Sequence, residues 1–151
     1  MRRVIAALAA AALLAGCGPG EARQANRYVD AINRTQSQFA RSMAGLSGRL
    51  GSGSDPAAAI RVLRAFDGAI GQVVGALRAI KPPSQVATLH HRLVGELGAY
   101  GAEIRRETGV VRSGDSRLLV AAQQRLLAAT RHVSDQINAT LAAINRRLRS
   151  A

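Results

Sequence analysis

Three histidines, His90, His91 and His132, and the carboxylates Glu96, Glu103 and Glu107 are residue types that could hold a metal ion or move a proton. Helical bundles bind metals where such groups converge between helices. Laying the helical segments antiparallel puts His132 about one turn from the height of His90 and His91, with Asp135 near the same level. The spacing fits no established frame, since there is no Glu-x-x-His pair, no HExxH and no CxxCH. His90 alone falls on an inward helical position, where a single histidine is more often a hydrogen-bonded core residue than a ligand. The three glutamates, spaced by seven and four, read as a solvated flank pairing with Arg92, Arg105 or Arg106. A nucleophile elbow is missing, because "GSGSD" has the wrong spacing and lies between helices. A glycosidase would need two carboxylates across a cleft. The chain is therefore expected to be no enzyme, and a metal-binding or metal-sensing bundle using His90, His91 and His132 stands as the alternative.

The remaining reactive group is Cys17, the one cysteine. It follows a basic "MRR", an unbroken apolar run from Val4 to Leu14, and the small residues Ala15 and Gly16. That order of basic, apolar and small residues is a secretory signal peptide. Eleven apolar residues are too few to cross ~30 Å of hydrocarbon as a helix. Leu14, Ala15, Gly16 and Cys17 together resemble the lipobox of bacterial lipoprotein precursors. The resemblance covers only these first residues, and it implies that residues 1–16 are a cleaved signal. It further implies that Cys17 receives a diacylglyceryl group on sulfur and becomes the first residue. Cys17 would then be an attachment point, and its covalent lipid the only cofactor. Two or three acyl chains, at ~0.8 kcal/mol per buried methylene, hold a protein stably where one does so marginally. The expected location is the extracytoplasmic face of a membrane, with residues 17–21 as lipidated terminus and spacer.

From Cys17 onward the 135 residues suit one domain. Without Arg2 and Arg3 they carry 19 basic residues against 9 acidic ones, a formal charge of +10. All but Lys81 of the basic residues are arginine, a bias that either a GC-rich genome or a selected use of forked guanidinium contacts produces. With Cys17 acylated, no disulfide is available, so stability must come from packing.

The elements that must position these groups are helices over 22–50, 56–81, 84–109 and 115–149. On the first, Ala25, Val29, Ile32, Gln36, Phe39, Met43, Leu46 and Leu50 fall on one stripe. "GSGSDP" ends it, with Asp55 as N-cap and Pro56 in the first turn of the second helix. The second stripe is Ala59, Leu63, Phe66, Ile70, Val73, Leu77 and Ile80, closed by "KPPS". The third is Val86, His90, Leu93, Leu97, Tyr100 and Ile104, with fraying expected near Gly109. On the fourth, Leu119, Gln123, Leu126, Thr130, Val133, Ile137, Leu141, Ile144 and Leu148 point inward. Short connections and stripes of ~3.5-residue period predict an all-α, antiparallel up-down-up-down four-helix bundle with coiled-coil-like packing. Each stripe is expected to bury against its three neighbours.

Gln36, Gln123 and Thr130 interrupt the apolar stripes, as a polar layer that sets register or as a small polar cavity. Gly68, Gly71, Gly75, Gly95 and Gly98 fall outside the bundle on neighbouring helices, flanked by Arg61, Arg64 and Arg78. Each glycine costs about 1 kcal/mol relative to alanine inside a helix. Either composition put them there or a helical partner, or a second copy, packs closely on that face. The basic surface suits anionic lipid or an anionic envelope polymer. Nucleic acid is excluded by the export signal and by an aromatic content of two Tyr, two Phe and no Trp. Dense arginine, the "KPPSQV" turn and the small-residue bundle resemble the uncharacterised small helical lipoproteins of high-GC bacteria, with no functional residues to carry over. The expected role is a non-catalytic binding or structural module tethered at the cell envelope.

Overall fold

The computed structural model describes residues 19–50, 56–113 and 116–150. Four long helices account for nearly all of them: α1 Pro19–Leu50, α2 Pro56–Ala79, α3 Ala87–Ser113 and α4 Ser116–Arg149. A single 3-10 turn, Ser84–Val86, leads into α3. The chain is an all-α four-helix bundle. The signal segment and Cys17, the Asp55 cap, and Gly114 and Asp115 lie outside the described residues.

The helix boundaries follow local chemistry. Pro19 and Pro56 each open a helix, where a missing N–H costs nothing and a fixed φ suits the first turn. Pro19 to Glu21 of the expected spacer are therefore already helical. At the other end of α2, helix geometry stops at Ala79, two residues before the expected Lys81. Ile80 N–H there donates to Leu77 O at 3.0 Å, an i to i−3 bond that tightens the last turn ahead of Pro82. Helix α3 runs four residues beyond Gly109, to Ser113. Burial of Glu107 and Thr108 in the turn before Gly109 holds this end against the glycine's propensity cost.

Neighbouring helices run in opposite directions where cross-helix bonds report it. Along the α3–α4 seam, Glu96, Tyr100 and Glu107 meet Thr140, Thr130 and Arg125, so rising numbers on one helix face falling numbers on the other. Between α2 and α3 the pairs are Leu77 with His90 and Asp67 with Arg105, again in opposite order. Close packing joins α1 to α2, α2 to α3 and α3 to α4, and α4 also packs on the 3-10 turn. Helices α1 and α4 do not approach each other comparably among the described residues. The expectation of three equivalent neighbours for every stripe is thus corrected, and the bundle is closed on that side by side chains alone.

Among the described residues the buried apolar side chains gather toward the 3-10 turn, where Ala25, Tyr28 and Ile32 of α1 share one apolar cluster with Leu77, Val86, Leu93 and the α4 residues Leu141, Ile144 and Leu148. Helix α1 is rotated from the expected stripe. Tyr28 and Thr35 are buried, while Val29, Gln36 and Phe39 are half-buried. Thr35 is tolerated there because its hydroxyl donates to Ala31 O at 3.0 Å. On α2 the buried set adds Val62, Ala69 and Val74, and Phe66 is only half-buried. Gly101 is buried at the α2–α3 crossing, where a Cβ would lie 3.3 Å from Ile70 Cγ2. The missing side chain lets the two helices approach.

Candidate functional site

The polar interior is concentrated in two places, and both are built from groups far apart in sequence. The first ties three helices together near the Pro-Pro turn. His90, 2 % exposed, places Nε2 at 3.0 Å from Leu77 O and Nδ1 at 3.3 Å from the Tyr28 hydroxyl. A carbonyl can only accept, so Nε2 carries the proton, Nδ1 is the acceptor, and Tyr28 O–H donates to it. His90 thereby caps a carbonyl in the last turn of α2 from the side chain of α3. Burial is the main cause lowering the His90 pKa below its ordinary 6.5; the bond to Leu77 O opposes this and the nearby His91 adds to it. Burial likewise pushes the Tyr28 phenol up to about 12.

The second lies on the α3–α4 seam. Glu107, 1 % exposed, accepts two bonds of 2.8 Å from Arg125 Nε and Nη2, a bidentate pair. The pairing raises the Arg125 pKa further, chiefly through that hydrogen bond. Nearer the turn, Thr140 O–H donates to Glu96 Oε1 at 3.0 Å. Between them the hydroxyls of Tyr100 and Thr130 are 2.8 Å apart. Because Thr130 O–H also lies 2.7 Å from Leu126 O, the shared arrangement has Tyr100 donating to Thr130.

These contacts bear on three readings of the sequence, and they correct the one for the glutamates. The glutamates are not one solvated flank: Glu103 pairs along α3 with Arg106, but Glu96 turns toward α4 and Glu107 is buried against Arg125. For the suggested polar layer, Thr130 is exposed and Gln36 is half-buried; the Gln123 side chain lies outside the described residues. His90, His91 and His132 are not gathered into one site. His91 is exposed, with its ring edge-on to His90 at 5.9 Å, and His132 is exposed on α4. No group of three or more ligating side chains occurs among the described residues.

The glycine face is where the stripes placed it. Gly68, Gly71, Gly75 and Gly95 are exposed and Gly98 is half-buried. A Cβ at any of the five would meet nothing within 4 Å. Arg61, Arg64 and Arg78 on α2 are exposed beside them.

Tyr28 and the inward role of Glu107 were not read from periodicity. A tyrosine one place from the expected stripe and a glutamate seven residues beyond inward-facing Tyr100 were the available signals. No family model matches the chain, and no curated protein or solved structure matches it.

Proposed function

We propose that this chain is a bacterial lipoprotein, held at the extracytoplasmic face of a membrane by acyl chains on Cys17, whose helical bundle is a non-catalytic binding or structural module of the cell envelope. The observation that carries the reading is Leu14-Ala15-Gly16-Cys17 directly after an apolar run too short to span a bilayer. The tether would be short, since Cys17 lies two residues ahead of the first helical residue, Pro19. Among the described residues no helix is long and apolar enough to cross a membrane. The interior polar groups favour a scaffold over a catalyst, because Glu107 and His90 are engaged by other parts of the bundle. Within this reading, the open glycine face with Arg61, Arg64 and Arg78 is the surface offered to a helical partner or a second copy. The metal-binding alternative has less support, because both ring nitrogens of His90 are committed within the bundle.

Cys17→Ser removes the acceptor sulfur. The wild-type protein should partition into the detergent phase with the mass of an acylated chain starting at Cys17, and the variant should remain unacylated. A Ser variant with the acylated mass and unchanged partitioning overturns the reading.

A further inference from the structure

Exposed cations occur along the whole bundle, Arg41, Arg64 and Arg112 among them in the far half, but only those at the Pro-Pro end lie where the chain enters the bundle. In the half away from the Pro-Pro turn, the acidic groups Asp67, Glu103 and Glu107 are paired with Arg105, Arg106 and Arg125. At the Pro-Pro end six exposed cations make no ion pair among the described residues: Arg27 on α1, Arg78 and Lys81 around the end of α2, Arg92 on α3, and Arg146 and Arg147 in the last turn of α4. The acidic residues of that half do not balance them. Glu96 is turned onto Thr140, leaving Glu21 and Asp30 exposed on α1 and Asp135 exposed on α4. Helix dipoles account for part of this accumulation, since α2 and α4 end here and their carbonyl ends favour cations. They do not account for Arg27 and Arg92, which lie toward the starts of α1 and α3.

The same end has a receptive shape. A cleft of about 380 Å³ between α1 and α2 is lined by Arg27 and Lys81 together with Tyr28, Ala31 and Ile80. Two cations beside an apolar wall match a phosphate group carried on a hydrocarbon chain. This is also the end at which the chain enters the bundle. Cys17 lies two residues from Pro19, so chain reach keeps it within about 7 Å of the first residue of α1.

We infer that the Pro-Pro end of the bundle is a docking surface for an anionic lipid bilayer, with Arg27 and Lys81 seating a lipid phosphate and Arg78, Arg92, Arg146 and Arg147 spread around it. The bundle then stands end-on, its Pro-Pro base against the headgroups and its far end outward. The inference rests on the lipoprotein reading for this orientation, while the electrostatic contact is independent of acylation. Attraction of this kind is confined to about one Debye length, ~8 to 10 Å at ordinary salt, so only the base contributes.

The test uses the full chain with Cys17→Ser, so that no acyl chain forms and failure of the lipid assignment leaves the result readable. Binding is measured by flotation with phosphatidylcholine vesicles, with and without phosphatidylglycerol, and the readout is the preference for the anionic vesicles. A base variant, R27Q/K81Q/R146Q/R147Q, is compared with a distal variant of equal charge loss, R41Q/R64Q/R112Q/R131Q. All eight residues are exposed, and circular dichroism checks that both variants stay folded. The parent and the distal variant should prefer anionic vesicles at least about tenfold, and the base variant should lose most of that preference. Equal losses in the two variants, or no preference in the parent, overturns the proposal. Soluble polyphosphate that binds the parent as tightly as the vesicles also overturns it, in favour of an anionic polymer.

Discussion

The phenol of Tyr28 and the imidazole of His90 meet edge-on, with ring centroids 5.7 Å apart and an interplanar angle of 68°, and the hydroxyl donates to Nδ1 at 3.3 Å. Through the other nitrogen, His90 holds the end of α2. One side chain therefore ties α1, α2 and α3 near the Pro-Pro turn.

That arrangement needs His90 neutral. Its pKa in the fold is lowered from 6.5, so the unfolded chain binds a proton at a higher pH than the folded chain does. The contribution to stability is complete above the unfolded value and is lost as pH falls below about 6.5 toward the folded value. Denaturant unfolding across this range should show stability falling as the solution is acidified. In His90→Gln, which retains a donor for Leu77 O, the part of the slope due to this group should vanish. An unchanged slope in the variant would assign the acid sensitivity elsewhere.

Tyr28→Phe keeps the ring and removes the donor, leaving a buried acceptor nitrogen. The expected cost is about 1 to 2 kcal/mol. Combined with His90→Gln, the two substitutions should cost less than their sum, because they share one contact. Strict additivity in chemical denaturation would show that the hydroxyl bond contributes nothing.

At the α3–α4 seam, Arg125→Ala leaves the Glu107 carboxylate buried without its bidentate partner. Removing both, in Glu107→Leu with Arg125→Leu, leaves no uncompensated charge. The double variant should therefore melt higher than Arg125→Ala alone, an order that thermal unfolding reads directly. The reverse order would mean that Glu107 finds a new partner or reaches water.

Glycine replacements separate the two kinds of glycine. At Gly68, Gly71, Gly95 and Gly98 the space is open, so each Ala should stabilise by up to about 1 kcal/mol. At Gly101 the added methyl meets Ile70 at 3.3 Å, and the gain should be smaller or reversed. Equal gains at Gly98 and Gly101 would show that Ile70 yields freely. If the outer glycines contact a partner, sedimentation and membrane crosslinking should show weaker association in these variants as stability rises.

Phe66→Ala should cost about 2 kcal/mol, below the ~3 to 5 kcal/mol of a fully buried ring, because Phe66 is half-buried. A loss at the upper end, measured by denaturant unfolding, would place the ring deeper than its exposure indicates.

Four helices, their order and most of their limits were legible in the sequence, because the signals for them are local. Apolar spacing of three and four sets a stripe, and Pro56 and Pro82 mark a start and a stop. The outward placement of the five glycines follows from the same periodicity, as does the inward placement of His90, Leu93, Leu97 and Ile104. Tertiary structure decided how each stripe turns toward its neighbours and which polar groups it encloses. Tyr28 displaces Val29 inward because its hydroxyl finds a histidine 62 residues away. His90 is a helix cap because it bonds a carbonyl 13 residues back, across the Pro-Pro turn. Glu107 can be buried because an arginine 18 residues on, on another helix, neutralises it. A helical period is a property of neighbouring residues, whereas a buried polar group is tolerated only when a partner from another element meets it in space.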